Sequence, residues 1–276
     1  IMHYGLPPRF KKDVRVVQLD ISPEAIGDNV PTEVALVGDG KTIVGQLNTE
    51  LENRQWFYPA DTDWKAAIAE KAAGNAAAIQ PMIDDNSTPT NYYRALKDIS
   101  AWATEDAVII GEGANTMDIG RTQLPNASPR LRLDAGTYGT MGIGMGFAIA
   151  AATVHPERPI ISVSGDSAIG FSGMEIETAC RHKLPIKIVV LNNGGIGQGI
   201  AEFPTDAQIP PGILTIGARY DLMMEAFGGK GFLVNDPADL AGVLEEAKAF
   251  DGPTLVNVIL HPQAGRKPQQ FGWLTT

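Results

Sequence analysis

Cysteine is nearly absent. Cys180 is the single thiol among 276 residues, which excludes an internal disulfide and suits a reducing compartment, so the chain reads as cytoplasmic. Cys180 itself falls on an apolar helical stretch and reads as a space-filler. Histidine is scarce as well: His3, His155, His182 and His261 stand at no paired ligand spacing, so no zinc site is expected. No apolar run approaches the roughly 18–20 residues that a membrane span needs. No charged-then-apolar leader stands at the start, so no export signal is expected. Positive charge is in deficit, with 22 Lys and Arg against 32 Asp and Glu and a net charge of −10. That balance argues against nucleic acid as a partner. There is no G-x-G-x-x-G fingerprint, so a nicotinamide dinucleotide site has no support. Internal repeats are absent too, and the only biased segment is the Ala-rich stretch from Ala66 to Ala78.

What is present is an α/β pattern, 44% apolar, long enough for one or two domains. The opening, IMHYGLPPRF, reads as a start inside a domain. Val14 to Asp20 is a strand, Ser22 to Glu24 caps a short helix, Val34 to Val37 is a second strand, and Thr42 to Leu51 is a helix. This resembles the tail of a Rossmann-like domain, where an acidic residue at a strand end often takes ribose or adenine groups. Asp20 and Asp39 hold such places, and solvated strand-end carboxylates would look the same. Glu52 to Asp61 reads as a linker, Trp64 to Ala78 as a helix, and Gln80 to Pro89 as a polar loop. A second α/β region follows. It has a helix over Asn91 to Ala101, a strand over Ala107 to Gly111, and a glycine-rich turn over EGANTMDIGRT. After GTYGTMGIGMG comes a small-residue helix. The glycines fit close backbone contact with a flat cofactor, or tight helix–sheet packing. Toward the end, Tyr220 to Phe227 and Pro237 to Phe250 are helices; Gly231 to Val234 and Thr254 to Leu260 are strands.

The densest chemistry lies between Gly165 and Gly195. Ile160 to Ser164 is a short apolar strand broken by Gly165, Asp166 and Ser167. Met174 to His182 has helical periodicity, with a helix starting near Ser172, and Ile186 to Leu191 is a buried β-branched strand with Asn193 just after it. In a parallel βαβ unit both strands finish on one edge of the sheet, so Asp166 and Asn193, 27 positions apart, converge. A carboxylate, an amide oxygen and the Gly195 carbonyl make an all-oxygen half-shell. Mg²⁺ prefers such ligands and completes its shell with phosphate and water. A polar loop in an ordinary βαβ unit is the alternative.

GDS followed by NN at this spacing resembles the diphosphate–magnesium motif of thiamine-diphosphate (ThDP) enzymes, with Ser167 where GDG is usual. The words GDSAIGFSGMEIETACRHKLP, NNGG, EGANTMDIGRT and RLDAGTYGTMG are similar to the oxalyl-CoA decarboxylase and 2-hydroxyacyl-CoA lyase branch. The resemblance covers nearly the whole chain. It implies a parallel-sheet ThDP-binding fold preceded by the end of a Rossmann-like middle domain. On that basis residues 1–55 are the end of the middle, nucleotide-binding domain, 56–89 a linker and helix, and 90–276 the diphosphate-binding domain with its tail. Asp166, Asn193 and Gly195 would hold Mg²⁺. Tyr92, Asn115, Thr116, Gly139, Met141, Ser167 and Ile196 would line the cofactor, with Met141 as the wedge between its rings and the Gly139 carbonyl as an acceptor. Asp20 and Asp39 match acidic contacts to ADP, a bound regulator. Gly197 stands where relatives carry Tyr, and Glu202 in the same loop is a candidate catalytic carboxylate or a solvated loop residue. The implied reaction is C1–C2 cleavage of a 2-hydroxyacyl-CoA to formyl-CoA and an aldehyde or ketone. An acidic protein needs local cations for CoA phosphates: Arg121 first, then Arg266 and Lys267. The implied partners are an N-terminal pyrimidine-binding domain, absent from this sequence, whose glutamate activates the cofactor, and further copies in a dimer or tetramer. Oxalyl-CoA decarboxylation and a non-catalytic nucleotide- or diphosphate-binding subunit are the competing readings.

Overall fold

A computed structural model of the chain describes residues 10, 13–28, 30–54, 57–197 and 209–267. The chain divides into two compact units, one running to Ala72 and the other from Ala73 to Lys267. In the first, β1 (Val17–Asp20) and β2 (Val34–Val37) pair in parallel, with Asp20 opposite Val37. The first strand is shorter than the sequence pattern predicts. The Asp39 carboxylate caps α1 (Gly40–Glu52) by accepting from the Thr42 amide at 3.0 Å. Helix α2 (Asp63–Ile83) contains the division between the units.

The sequence reading ends α2 at Ala78 and gives Gln80 to Pro89 to a loop, but the helix runs on through Pro81 to Ile83. An internal proline removes one hydrogen bond and costs about 3 kcal/mol. The offset is packing: Ile79, Met82 and Ile83 all lie against the core of the second unit.

That unit holds six parallel strands: β3 (Val108–Glu112), β4 (Arg132–Asp134), β5 (Ile160–Gly165), β6 (Lys187–Asn192), β7 (Lys230–Val234) and β8 (Thr254–Ile259). Their order is β4-β3-β5-β6-β8-β7. Alternate residues of the central strands β3, β5 and β6 feed opposite cores. Ile109, Ile161, Val163, Val189 and Leu191 pack against α3 (Tyr92–Trp102), α4 (Ala114–Gln123) and α9 (Pro237–Ala249). Val108, Ile110, Ile160, Ile188 and Val190 pack against α5 (Gly144–Val154), α6 (Asp166–Ser172), α7 (Glu175–Arg181) and α8 (Tyr220–Ala226). Burial on both faces is why these strands read as continuous apolar runs.

Two local readings are corrected. EGANTMDIGRT is not a turn: only Gly113 breaks the chain, and Ala114–Gln123 is helix α4, anchored by buried Ile119. The helix expected over Met174 to His182 is α7, but the stretch read as a turn after β5 is itself helical: α6 starts at Asp166, directly on the end of β5. The topology then fixes where a ligand can sit. From β3 the chain goes to β4 on one side, then returns to β5 on the other. The strand order reverses between β3 and β5, and crevices open at the carboxyl ends of strands flanking such a switch.

At the opposite edge, Lys187 is buried and its ammonium donates to the carbonyls of Phe250 and Gly252 at 2.7 and 2.9 Å. Burial pushes it down to about 8, against the pull of Asp251. Between pH 8 and the ordinary lysine range the unfolded chain therefore binds more protons than the folded one, so stability rises with pH there. Relative to a Lys187→Met variant, the parent is expected to gain about 1–2 kcal/mol of unfolding free energy from pH 8 to pH 10. Parallel pH profiles from urea denaturation of the two proteins would refute this.

Candidate cofactor site

Gly165 of β5 lies opposite Leu191 of β6, so the residues that follow the two strands are neighbours. Asp166 is buried, and each carboxylate oxygen accepts one backbone N–H, from Ser167 and from Gly194, both at 2.7 Å. Burial pushes its carboxyl up, opposed by the amides of Ser167, Gly194 and Gly195. No ion pair reaches it among the described residues. Asn193, also buried, accepts from the Gly195 amide at 3.4 Å and donates to the Gly197 carbonyl at 3.1 Å. That same carbonyl accepts from Asn115 of α4 at 2.8 Å. Segments following β3, β5 and β6 are thus tied into one edge. The donor set is all oxygen, and no group of three or more His, Cys, Asp and Glu gathers among the described residues. A hard cation shared with phosphate fits this set; a zinc-type cluster does not.

Tyr92 and Tyr220 complete the surroundings. Burial first, then the charge of Asp166, raises the Tyr92 phenol above its ordinary value, while the Asn115 side chain opposes. The same two causes push Tyr220 up to about 12. Thr116 is buried with its hydroxyl next to Gly165. Gly139 takes a left-handed φ of 61°, Met141 is partly exposed, and Ile196 is exposed. Ser167 contributes its amide to Asp166. Glu202 lies outside the described residues.

Two of the three candidate cations come together. Arg121 pairs with Asp134 at 3.0 Å and with Asp118 at 3.7 Å, and Arg266 donates to Asp118 at 2.7 Å. Lys267 instead donates to the Ala78 carbonyl at 2.7 Å. In the first unit Asp20 accepts from the Ser22 amide at 2.9 Å, and Asp39 is the cap of α1. A cavity of about 400 Å³ lined by Trp102, Arg158 and Lys187 lies at the other edge of the sheet, remote from this chemistry.

Three buried or half-buried groups at this edge are not singled out by the sequence. Glu112 ends β3 and binds the Gly142 and Gly144 amides; Asn192 accepts from the Gly194 amide at 3.2 Å; Tyr220 opens α8. A charged residue ending the apolar run VIIG was the available signal for the first.

Residues 111–258, just over half of the chain, match the family described as thiamine pyrophosphate enzyme, C-terminal TPP binding domain. The chain belongs to the thiamine pyrophosphate enzymes. The match begins at the end of β3 and closes in β8, so it takes in Glu112, Asn115, Asp166 and Asn193, while Tyr92 and Arg266 lie outside it. Among curated relatives, human (Homo sapiens) 2-hydroxyacyl-CoA lyase 1 is 46% identical over 292 residues, covering 100% of this chain and 50% of its own length. A 2-hydroxyacyl-CoA lyase of Oryza sativa subsp. japonica is 39% identical, covering 96% of this chain and 48% of its own length. Oxalyl-CoA decarboxylase of Escherichia coli (strain K12) is 39% identical, covering 92% and 45%. This thiamine pyrophosphate enzyme chain spans about half the length of the curated relatives it matches. Among the described residues, no helix is long and apolar enough to cross a membrane.

Proposed function

We propose that this chain is the cofactor-binding half of a ThDP- and Mg²⁺-dependent lyase. It would cleave a 2-hydroxyacyl-CoA between C1 and C2, giving formyl-CoA and an aldehyde or ketone. The observation that carries the reading is the buried Asp166 carboxylate, which accepts only backbone amides beside Asn193 at the sheet edge. With the Asn193 amide oxygen and the Gly195 carbonyl it supplies three of the six oxygens that Mg²⁺ takes. When bound, ThDP supplies an electron sink for the pair released by the breaking C–C bond. The protein's share is orientation. Asn115 and Asn193 hold the Gly197 carbonyl from two sides, which ties the segment after β6 to α4. Gly139, in a left-handed turn, and Met141 would meet the cofactor's rings.

CoA would dock near Arg121 and Arg266, where its phosphates compete with Asp118 and Asp134 for the guanidinium groups. An ADP site at Asp20 and Asp39 stays outside this reading: the family match over residues 111–258 does not reach either carboxylate, and Asp39 serves as the cap of α1. The activating glutamate is assigned to a pyrimidine-binding domain beyond these 276 residues, on the same polypeptide or another copy. The exposed Tyr138, Phe171 and Met174 support such a cover, since Tyr138 is 96% exposed.

The oxalyl-CoA decarboxylase reading has one observation in its favour, a bacterial decarboxylase as similar as the rice lyase. Both reactions give formyl-CoA, so the second product separates them. The full-length enzyme is expected to release aldehyde or ketone from a 2-hydroxyacyl-CoA with kcat/KM at least about tenfold above that for CO₂ release from oxalyl-CoA. The reverse ratio would move the assignment to the decarboxylase.

A further inference from the structure

Glu112 is buried at the end of β3, beside Ser164 of β5. One carboxylate oxygen accepts from the Gly142 amide, and the other accepts from the Gly144 amide at 2.7 Å. Among the described residues no cation pairs with it. A buried carboxylate is costly unless its oxygens are satisfied, so both amides are held by charge-assisted bonds. Gly144 is the first residue of α5, and the residue before it, Ile143, has no side chain able to cap. Glu112 therefore caps α5 from a neighbouring strand, a negative charge at a helix start. The approach is so close that a Cβ on Gly144 would land on its carboxylate. Gly142 has φ 84°, a conformation side chains resist, which turns its amide toward the strand end.

The clamped pair, Gly142 and Gly144, follows directly on the turn that carries Gly139 and Met141. We propose that Glu112 is a positioning residue for the cofactor's rings: it sets the height of the Gly139–Gly144 loop, while Asp166 acts separately on the diphosphate. The proposal rests on the ThDP reading and adds a division of labour within it. The geometry also demands a carboxylate. Glutamine is the same size but has one acceptor oxygen, so its NH₂ must face one of the two amides, donor against donor.

The test uses the full-length enzyme and two probes, ThDP with Mg²⁺ and inorganic pyrophosphate with Mg²⁺, each titrated by calorimetry. Glu112→Gln is expected to weaken ThDP about tenfold or more, and to leave pyrophosphate within about twofold of the parent. Asp166→Ala, as the control, should lose both. Equal loss of the two probes in Glu112→Gln would mean a general structural defect and overturn the proposal. Unchanged ThDP affinity would overturn it as well. A parent protein that binds no ThDP would instead sink the underlying cofactor reading. Should Glu112→Gln fail to fold, amide hydrogen exchange on the parent decides. The Gly142 and Gly144 amides should exchange far more slowly than that of exposed Tyr138, and equal rates would overturn the clamp.

Discussion

Replacing Asp166 with Ala is expected to weaken Mg²⁺-dependent ThDP binding to the full-length enzyme by a hundredfold or more, roughly the loss of one charged ligand from a hard-cation site. The proposed metal set has one carboxylate, its other oxygens being an amide and a carbonyl, and the Glu112 carboxylate at the same edge is already engaged by the Gly142 and Gly144 amides. The change also leaves the buried Gly194 amide without its carboxylate acceptor, although Asn192 remains within 3.2 Å of it. Folding should suffer less than binding. An unpaired buried carboxylate contributes little to stability, because its desolvation opposes the bonds it accepts. Calorimetry for the affinity and thermal melting of the cofactor-free protein separate the two effects. A large drop in melting temperature with ThDP affinity retained would make Asp166 structural.

The second large effect is expected at Asn257. This buried β8 residue donates to the Ala218 carbonyl at 2.8 Å and to Asp221 at 3.2 Å, and accepts from Asn192 at 3.2 Å. Asn192 in turn donates to Ala218 at 3.1 Å and accepts from the Gly194 amide. One amide pair thus pins Gly194 and Ala218, the two ends of the excursion between β6 and α8. Asp221 closes the network through Arg219, whose guanidinium holds the carboxyl below its usual range in spite of burial. Asn257→Leu keeps the volume and deletes three bonds from this buried network, leaving the Asn192 NH₂ group and the Ala218 carbonyl with only each other and Asp221 with Arg219. A loss of about 2–4 kcal/mol in unfolding free energy is expected, with weaker ThDP binding because Gly194 also contacts Asp166. Denaturant unfolding checks the first part; a change below about 0.5 kcal/mol would show that the network is not cooperative.

How much of this could be read in the sequence depended on how local the cause was. The strands ending at Asp166 and Asn193 were readable because β-branched runs buried on both faces have few other uses. Their convergence followed from the parallel βαβ rule alone. Helix α4 escaped notice because Gly113, Asn115, Thr116 and Gly120 have weak helical propensity; burial of Ile119 against the sheet decides the matter. The GDS turn concealed the start of α6 for a similar reason, since Gly165 completes the strand rather than breaking it. The role of Glu112 could not be read, because its two partners lie 30 and 32 residues away and are backbone amides. No side-chain pattern records such a contact.

The most direct measurement of the central claim is reconstitution. The full-length protein is stripped of metal and cofactor by dialysis against a chelator, then assayed for formyl-CoA release from a 2-hydroxyacyl-CoA. The account predicts no turnover after stripping, none with ThDP or Mg²⁺ alone, and recovery when both are returned. Full activity in the stripped protein, or recovery with neither component required, would contradict it.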